Sequence, residues 1–175
     1  MNAKLSKEDI LKLLGELNDE LAVQAITGEL YLVGGAVMCL VFNARPATHD
    51  IDAYFAPTSE IRRAALKIAS RHSLPEKWLN DAVKGFMETS QGFDPYLELS
   101  NLKVFTAQPE YLLAMKCLSL RLGAEFFDEE DARFLLRYLN ITTYEEALEI
   151  ICRYYPLEKF PQKTFYALEE ILKTK

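Results

Sequence analysis

Apolar residues recur at helical spacing almost from the start of the chain: Ile10, Leu11, Leu14, Leu17 and Leu21 fall on one stripe, preceded by Ser6 and Asp9 in capping-box order. This predicts an amphipathic first helix. After Thr27-Gly28 the run Leu30-Tyr31-Leu32-Val33 is short, apolar and β-prone, and it stops at Gly34-Gly35, which suits a buried strand ending in a tight turn. Residues 36–42 resume as a short buried helix, residues 43–49 are polar and contain a proline, and Asp50-Ile51-Asp52-Ala53-Tyr54-Phe55 alternates like a second strand. Pro57 closes that strand, Ser59 can cap a helix running to about Ser70, and Pro75 introduces a short helix around Trp78.

Residues 85–94 read as a loop, followed by strands over 96–99 and 102–106 with a turn at Ser100-Asn101. From Pro109 onward the period is helical, over 110–122, 128–139, 144–154 and 162–173, with Thr143 and Glu146 as a second capping box. The succession predicts an α+β fold: an α/β core with an N-terminal helix over residues 1–107, and a helical region over 108–175 packed on that core. No internal repeat, low-complexity segment or flexible linker interrupts it.

Composition narrows the function classes. The 175 residues are 50% apolar and 26% charged, the balance of an ordinary globular protein. A formal charge of −6 argues against a broad DNA-binding face, because affinity for phosphate backbones comes from many clustered Lys and Arg residues. Cys39, Cys117 and Cys152 are few, far apart and in apolar helical contexts, so buried free thiols in a reducing cytoplasm are expected rather than disulfides. No segment approaches the roughly 18 apolar residues of a spanning helix, and the N-terminus has no apolar signal core, so neither membrane insertion nor export is expected.

The chemistry concentrates in Leu32-Val33-Gly34-Gly35-Ala36 and in Arg45-Pro46-Ala47-Thr48-His49-Asp50-Ile51-Asp52. A strand that ends in Gly-Gly and enters a helix exposes backbone N–H groups that a phosphate can approach closely, although Gly-Gly after a strand is more often a plain turn. Residues i and i+2 of a strand share a face, so Asp50 and Asp52 bring two carboxylates together and call for a cation. Magnesium suits one or two carboxylates plus substrate phosphates. The bland alternative is an acidic pair protecting an edge strand. Against it, aspartate is a poor strand former, and two of them among Ile51, Ala53, Tyr54 and Phe55 break a local rule.

Arg45 enters the acidic strand from a loop where its guanidinium could fork onto phosphate oxygens. Lys116 interrupts the apolar run Leu112-Leu113-Ala114-Met115-Lys116-Cys117-Leu118 and needs either a partner or a route to solvent. Asp128 and Asp131 share a helix face and could orient Lys116 or Arg121, or simply favour a helix N-terminus, the reading preferred for Asp128. Asp81 either enters a cleft or caps a local turn. His49 and His72 lack ligand spacing for zinc.

The run Gly34-Gly35-Ala36 through Arg45, Thr48 and Asp50-Ile51-Asp52 resembles the signature of bacterial nucleotidyltransferase-like proteins of the minimal and AbiEii-toxin-related types. Leu79-Asn80-Asp81-Ala82-Val83-Lys84 is similar to a segment of that group, as is Leu112-Leu113-Ala114-Met115-Lys116 followed by Arg121, Asp128 and Asp131. The resemblance implies a nucleotidyltransferase-fold mixed sheet with flanking helices and a C-terminal helical bundle. It implies magnesium, with manganese as the alternative, held by Asp50 and Asp52, and transfer of a nucleotidyl group from a nucleoside triphosphate to a hydroxyl of a protein or RNA. On it, Gly34, Gly35, Arg45, Thr48, Lys116 and Arg121 bind the nucleotide, with Asp81 and Asp131 in support. A toxin role with a cognate antitoxin follows by analogy.

Many active members of that superfamily carry a third carboxylate on a later strand. Glu98 is the one acidic residue of the strands predicted there, and so the candidate for that place, although an exposed strand glutamate explains it as well. Without a third carboxylate, the resemblance implies slow or lost turnover, and a protein that binds nucleotide or a partner through the same cleft.

Overall fold

The computed structural model describes residues 4–87, 92–121 and 128–174. The chain divides into two compact units, Met1–Ala107 and Gln108–Lys175. The fold is α+β with a mixed sheet.

The first unit begins with a two-residue strand, β1 (Leu5–Ser6), and the predicted helix, α1 (Lys7–Val23), whose capping box forms between Ser6 and Asp9. Then follow β2 (Gly28–Leu32), α2 (Gly34–Leu40), β3 (Ala47–Thr48), β4 (Ile51–Ala56), α3 (Thr58–His72) and β5 (Leu79–Asn80). A 3-10 turn over Ala82–Phe86 leads towards β6 (Phe93–Glu98) and β7 (Leu102–Ala107). The main sheet runs β5-β4-β2-β7-β6, and β1 pairs with β3 in a small sheet of its own.

Strand β2 is central because its neighbours suit it on both sides: β4 is antiparallel, with Leu32 opposite Ala53, and β7 is parallel, with Leu32 opposite Thr106. Leu30, Leu32, Ile51, Ala53, Phe55, Leu102 and Val104 point to one face and are buried. Helices α1 and α3 cover that face so closely that a Cβ on Gly28 would stand 3.0 Å from both Leu21 Cδ1 and Ile61 Cδ1. The other face carries Asp52, Tyr54, Tyr31 and Phe105, all half-buried. Tyr31 stacks on Phe105 at 4.8 Å between ring centroids and meets Phe93 edge-on.

The structure differs from the sequence pattern at two expected elements and adds two short strands. Pro75 introduces no helix around Trp78: the Trp78 backbone C=O accepts from Ile51 N–H at 2.7 Å, its indole N–H donates to Ala65 C=O at 2.9 Å, and Leu79–Asn80 continue as strand β5. Strand β6 starts at Phe93 rather than 96, taking in Pro95 beside a bulge at the sheet edge, where a residue without an N–H is tolerated. The short strands β1 and β3 have no counterpart in the sequence pattern, since two residues carry no readable period. Part of the loop expected over 85–94, residues 88–91, lies outside the described residues.

In the second unit, α4 (Pro109–Leu118), α5 (Asp128–Tyr138), α6 (Tyr144–Ile151) and α7 (Gln162–Lys173) follow the helical pattern. Helix α4 ends before the expected 122, which is itself outside the described residues. The capping box of Thr143 and Glu146 forms as the spacing predicts. Leu112, Leu113, Leu135, Leu136, Ile151 and Leu168 make the core, and Thr164 Oγ1 donates to the C=O of Cys117 at 2.7 Å.

Candidate functional site

The site is assembled where β2 gives way to α2 and β4 runs alongside. Gly34 takes a left-handed backbone, φ 62°, which turns the chain out of the sheet and into the helix. Val33 precedes it without a side-chain cap and donates its N–H to the C=O of Asp52 at 3.0 Å. Alternation along β4 buries Ile51, Ala53 and Phe55 and turns Asp52 to the face away from α1 and α3. As a result Asp52 Oδ2 lies 3.1 Å from the point where a Cβ on Gly34 would stand. The carboxylate and the glycine turn are adjacent in space, which is the arrangement the two motifs require.

Asp50 precedes β4 and is tied to the same side by Asn80. In the parallel pairing of β4 and β5, Asn80 is the partner of Asp52, so the two side chains flank one another. Asn80 Nδ2 donates to Asp50 Oδ2 in a long hydrogen bond of 3.4 Å, while its Oδ1 accepts from the N–H of Ala82 at 3.2 Å. Nothing in the local pattern around Asn80 signalled this contact. It depends on a register between segments 28 residues apart.

Gly35 is hemmed in from another direction. A Cβ there would stand 2.5 Å from Thr48 Oγ1 and 3.1 Å from Arg45 Nη1, so both predicted phosphate-binding side chains border the second glycine. Thr48 is 5% exposed and is the ladder partner of Leu5, so the N-terminal strand pins the loop that carries it. Lys7 Nζ adds a bond of 2.8 Å to the C=O of Leu40 at the end of α2. Burial pushes the nearby Cys39 thiol above its ordinary value, although Arg45 and Lys7 pull the other way.

This crowding gives a direct prediction. Gly35→Ala drives a methyl to 2.5 Å from Thr48 Oγ1 and 3.3 Å from its Cβ, on a residue whose backbone is held by pairing with Leu5, and is expected to cost about 1–3 kcal/mol. Gly15→Ala is the control, because a Cβ there meets nothing within 4 Å and helix interiors favour alanine. Thermal unfolding of the two variants should move in opposite directions.

The remaining candidates have partners of their own. Glu98 is on β6, at the opposite edge from β4 and β5 and three strand spacings from β4, about 14 Å at the usual spacing. It is exposed and pairs with Lys103 at 3.3 Å, so it does not supply a third carboxylate beside Asp52. Among the described residues no group of three or more His, Cys, Asp and Glu is placed to hold a metal ion. Asp81 forms a 2.7 Å salt bridge with Arg62 on α3, a structural partner for the residue expected in support of the cleft.

Lys116, Arg121 and Asp131 belong to the second unit, where they form an ion cluster with Asp128. Lys116 Nζ lies 3.0 Å from Asp128 Oδ1 and 2.7 Å from Asp131 Oδ2, and Arg121 Nε is 2.8 Å from Asp128 Oδ2. The buried ammonium thus answers to two carboxylates of its own unit. Asp128, expected as a helix-terminal charge, stands in the first turn of α5 and is also the hub of this cluster.

Among the described residues no helix is long and apolar enough to cross a membrane. No family model, curated protein or solved structure matches this chain.

Proposed function

We propose that this protein is a magnesium-dependent nucleotidyltransferase that moves a nucleotidyl group from a nucleoside triphosphate to a hydroxyl of a protein or RNA. The observation that carries the reading is the Asp52 carboxylate set against the Gly34 turn, with Asp50 tethered to the same side through Asn80. The donor set fits magnesium: hard oxygen ligands from one or two carboxylates, completed by substrate phosphates. When bound there, the ion would neutralise triphosphate charge and acidify the attacking hydroxyl.

The chain's own residues have distinct tasks on this reading. Asp50 and Asp52 hold the ion, Gly34 and Gly35, lacking a Cβ, let Asp52 and Thr48 close on the backbone, and Arg45 offers its guanidinium to phosphate oxygens from the side of Gly35. The acceptor oxygen bonds to the α-phosphorus as the bond to the β-phosphate bridge breaks, and pyrophosphate leaves while the hydroxyl proton passes to solvent.

The test is incubation of purified protein with α-labelled triphosphates, magnesium and cell extract, beside the double variant Asp50→Asn/Asp52→Asn. Label on protein or RNA with the native chain and none with the variant supports transfer. The position of Glu98 favours a second reading, in which the cleft binds magnesium and nucleotide without turnover. Metal-dependent nucleotide binding with no transfer would select it, and no binding would dismiss both. A toxin role with a cognate antitoxin is a further proposal by analogy, and growth arrest on expression that requires Asp52 is its test.

A further inference from the structure

We propose that Asn80 is a positioning residue that takes the third place in the acidic site, and that by being an amide it makes the site bind its divalent ion together with a triphosphate rather than alone. The inference rests on the nucleotidyltransferase reading and deepens it. Asn80 is the ladder partner of Asp52 on the neighbouring strand, the position from which a third carboxylate would most directly complete the pair. Its orientation follows from its partners. The N–H of Ala82 can only donate, so it fixes Oδ1, which leaves Nδ2 directed at Asp50 Oδ2.

Two consequences follow from an amide at this point. Its N–H group holds one Asp50 oxygen in place, which limits the orientations the carboxylate can adopt towards a metal. Its neutrality keeps the protein's contribution to two negative charges, so the remaining oxygens and charge for a hard cation must come from the triphosphate. An aspartate there would keep an acceptor for the Ala82 N–H, lose the donor to Asp50 and add a third carboxylate. Supporting residues of this kind typically change metal affinity by about 10–100-fold when removed.

The experiment uses Mn2+ as the ion, read by the loss of its free electron-paramagnetic signal, with the full-length chain and α,β-methylene analogues of ATP, GTP, CTP and UTP. The native chain is expected to bind Mn2+ at least about 10-fold more tightly with its preferred analogue than without any. Asn80→Ala should weaken binding with the analogue by about 10-fold or more, and Asn80→Asp should strengthen binding of Mn2+ alone by a similar factor. Thermal unfolding of each variant without metal separates these effects from a loss of fold, and the nearly isosteric Asn80→Asp carries the test if the alanine variant is unstable. Equal Mn2+ affinities in all three chains, with the analogue bound by each, would overturn the role of Asn80 and leave the function standing. A native chain that binds Mn2+ with none of the four analogues would overturn the function and, with it, this proposal.

Discussion

On the proposed function, replacing Asp52 by asparagine is expected to lower magnesium-dependent nucleotidyl transfer by about 10³-fold, the loss of roughly 4 kcal/mol of transition-state stabilisation. The substitution keeps the shape of the side chain, and the bond from Val33 N–H to the backbone C=O of residue 52 does not involve the carboxylate. What disappears is one of two charges on the same side of the sheet, the one set beside the glycine turn. Because those charges lie on the same side and repel one another in the absence of a cation, Asp52→Asn should unfold no earlier than the native chain when metal is absent. Added magnesium and triphosphate should then separate the two proteins. A ligand that binds only the folded state stabilises by about 2.7 kcal/mol at one hundred times its dissociation constant, so the native unfolding temperature should climb with ligand while that of the variant stays nearly level. A variant that shows the full ligand-dependent rise would show that Asp52 takes no part in holding the metal and nucleotide.

The parts of this site that were legible in the sequence are those whose geometry is local. The period of two along β4 places Ile51 inward and Asp52 outward, and the glycine pair marks where β2 must turn. Adjacent antiparallel pairing of β2 and β4 then brings the motifs together, with Asp52 reaching Gly34. What the sequence does not display is register and strand order. Asn80 becomes the flank of Asp52 only because β5 joins the sheet in parallel beside β4, and a two-residue strand leaves no periodic trace. Glu98 has the residue type and strand setting of a third ligand. Yet the order β5-β4-β2-β7-β6 puts it at the far edge, an outcome that no window around residue 98 encodes.

The second unit shows the same division. The spacing of Asp128 and Asp131 predicts a shared helix face, and a lysine inside an apolar helix predicts a partner for its charge. Only the fold shows that these are halves of one cluster. Helix α5 delivers both carboxylates to Lys116 on α4, whose side chain is largely withdrawn from water.

That cluster carries the largest stability effect expected in the protein. Lys116→Met preserves the bulk of the side chain but leaves Asp131 without its ammonium partner and Asp128 with Arg121 in its place, and breaking a buried pair from one side typically costs about 3–5 kcal/mol. The side chains of Lys116, Asp128 and Asp131 are 10%, 3% and 6% exposed, so solvent can replace little of what is lost. Arg121 is 60% exposed, and Arg121→Met should cost only about 1 kcal/mol or less. Adding Asp131→Asn to Lys116→Met removes one of the two buried negative charges and should recover part of the deficit, a coupling measurable by denaturant unfolding of the double-mutant cycle. Acidity gives an independent check. Burial raises the pKa of Asp128, but its bonds and charges with Arg121 and Lys116 outweigh burial and hold the carboxyl below its ordinary value of 3.8. A depressed folded value means that this stabilisation is complete above the ordinary aspartate range and drains away as pH falls through the folded value. The gap between native chain and Lys116→Met should therefore be widest near neutrality and narrow as Asp128 takes up its proton. A gap that stays constant into acid would show that the lysine acts through packing of its methylene stem rather than through its charge.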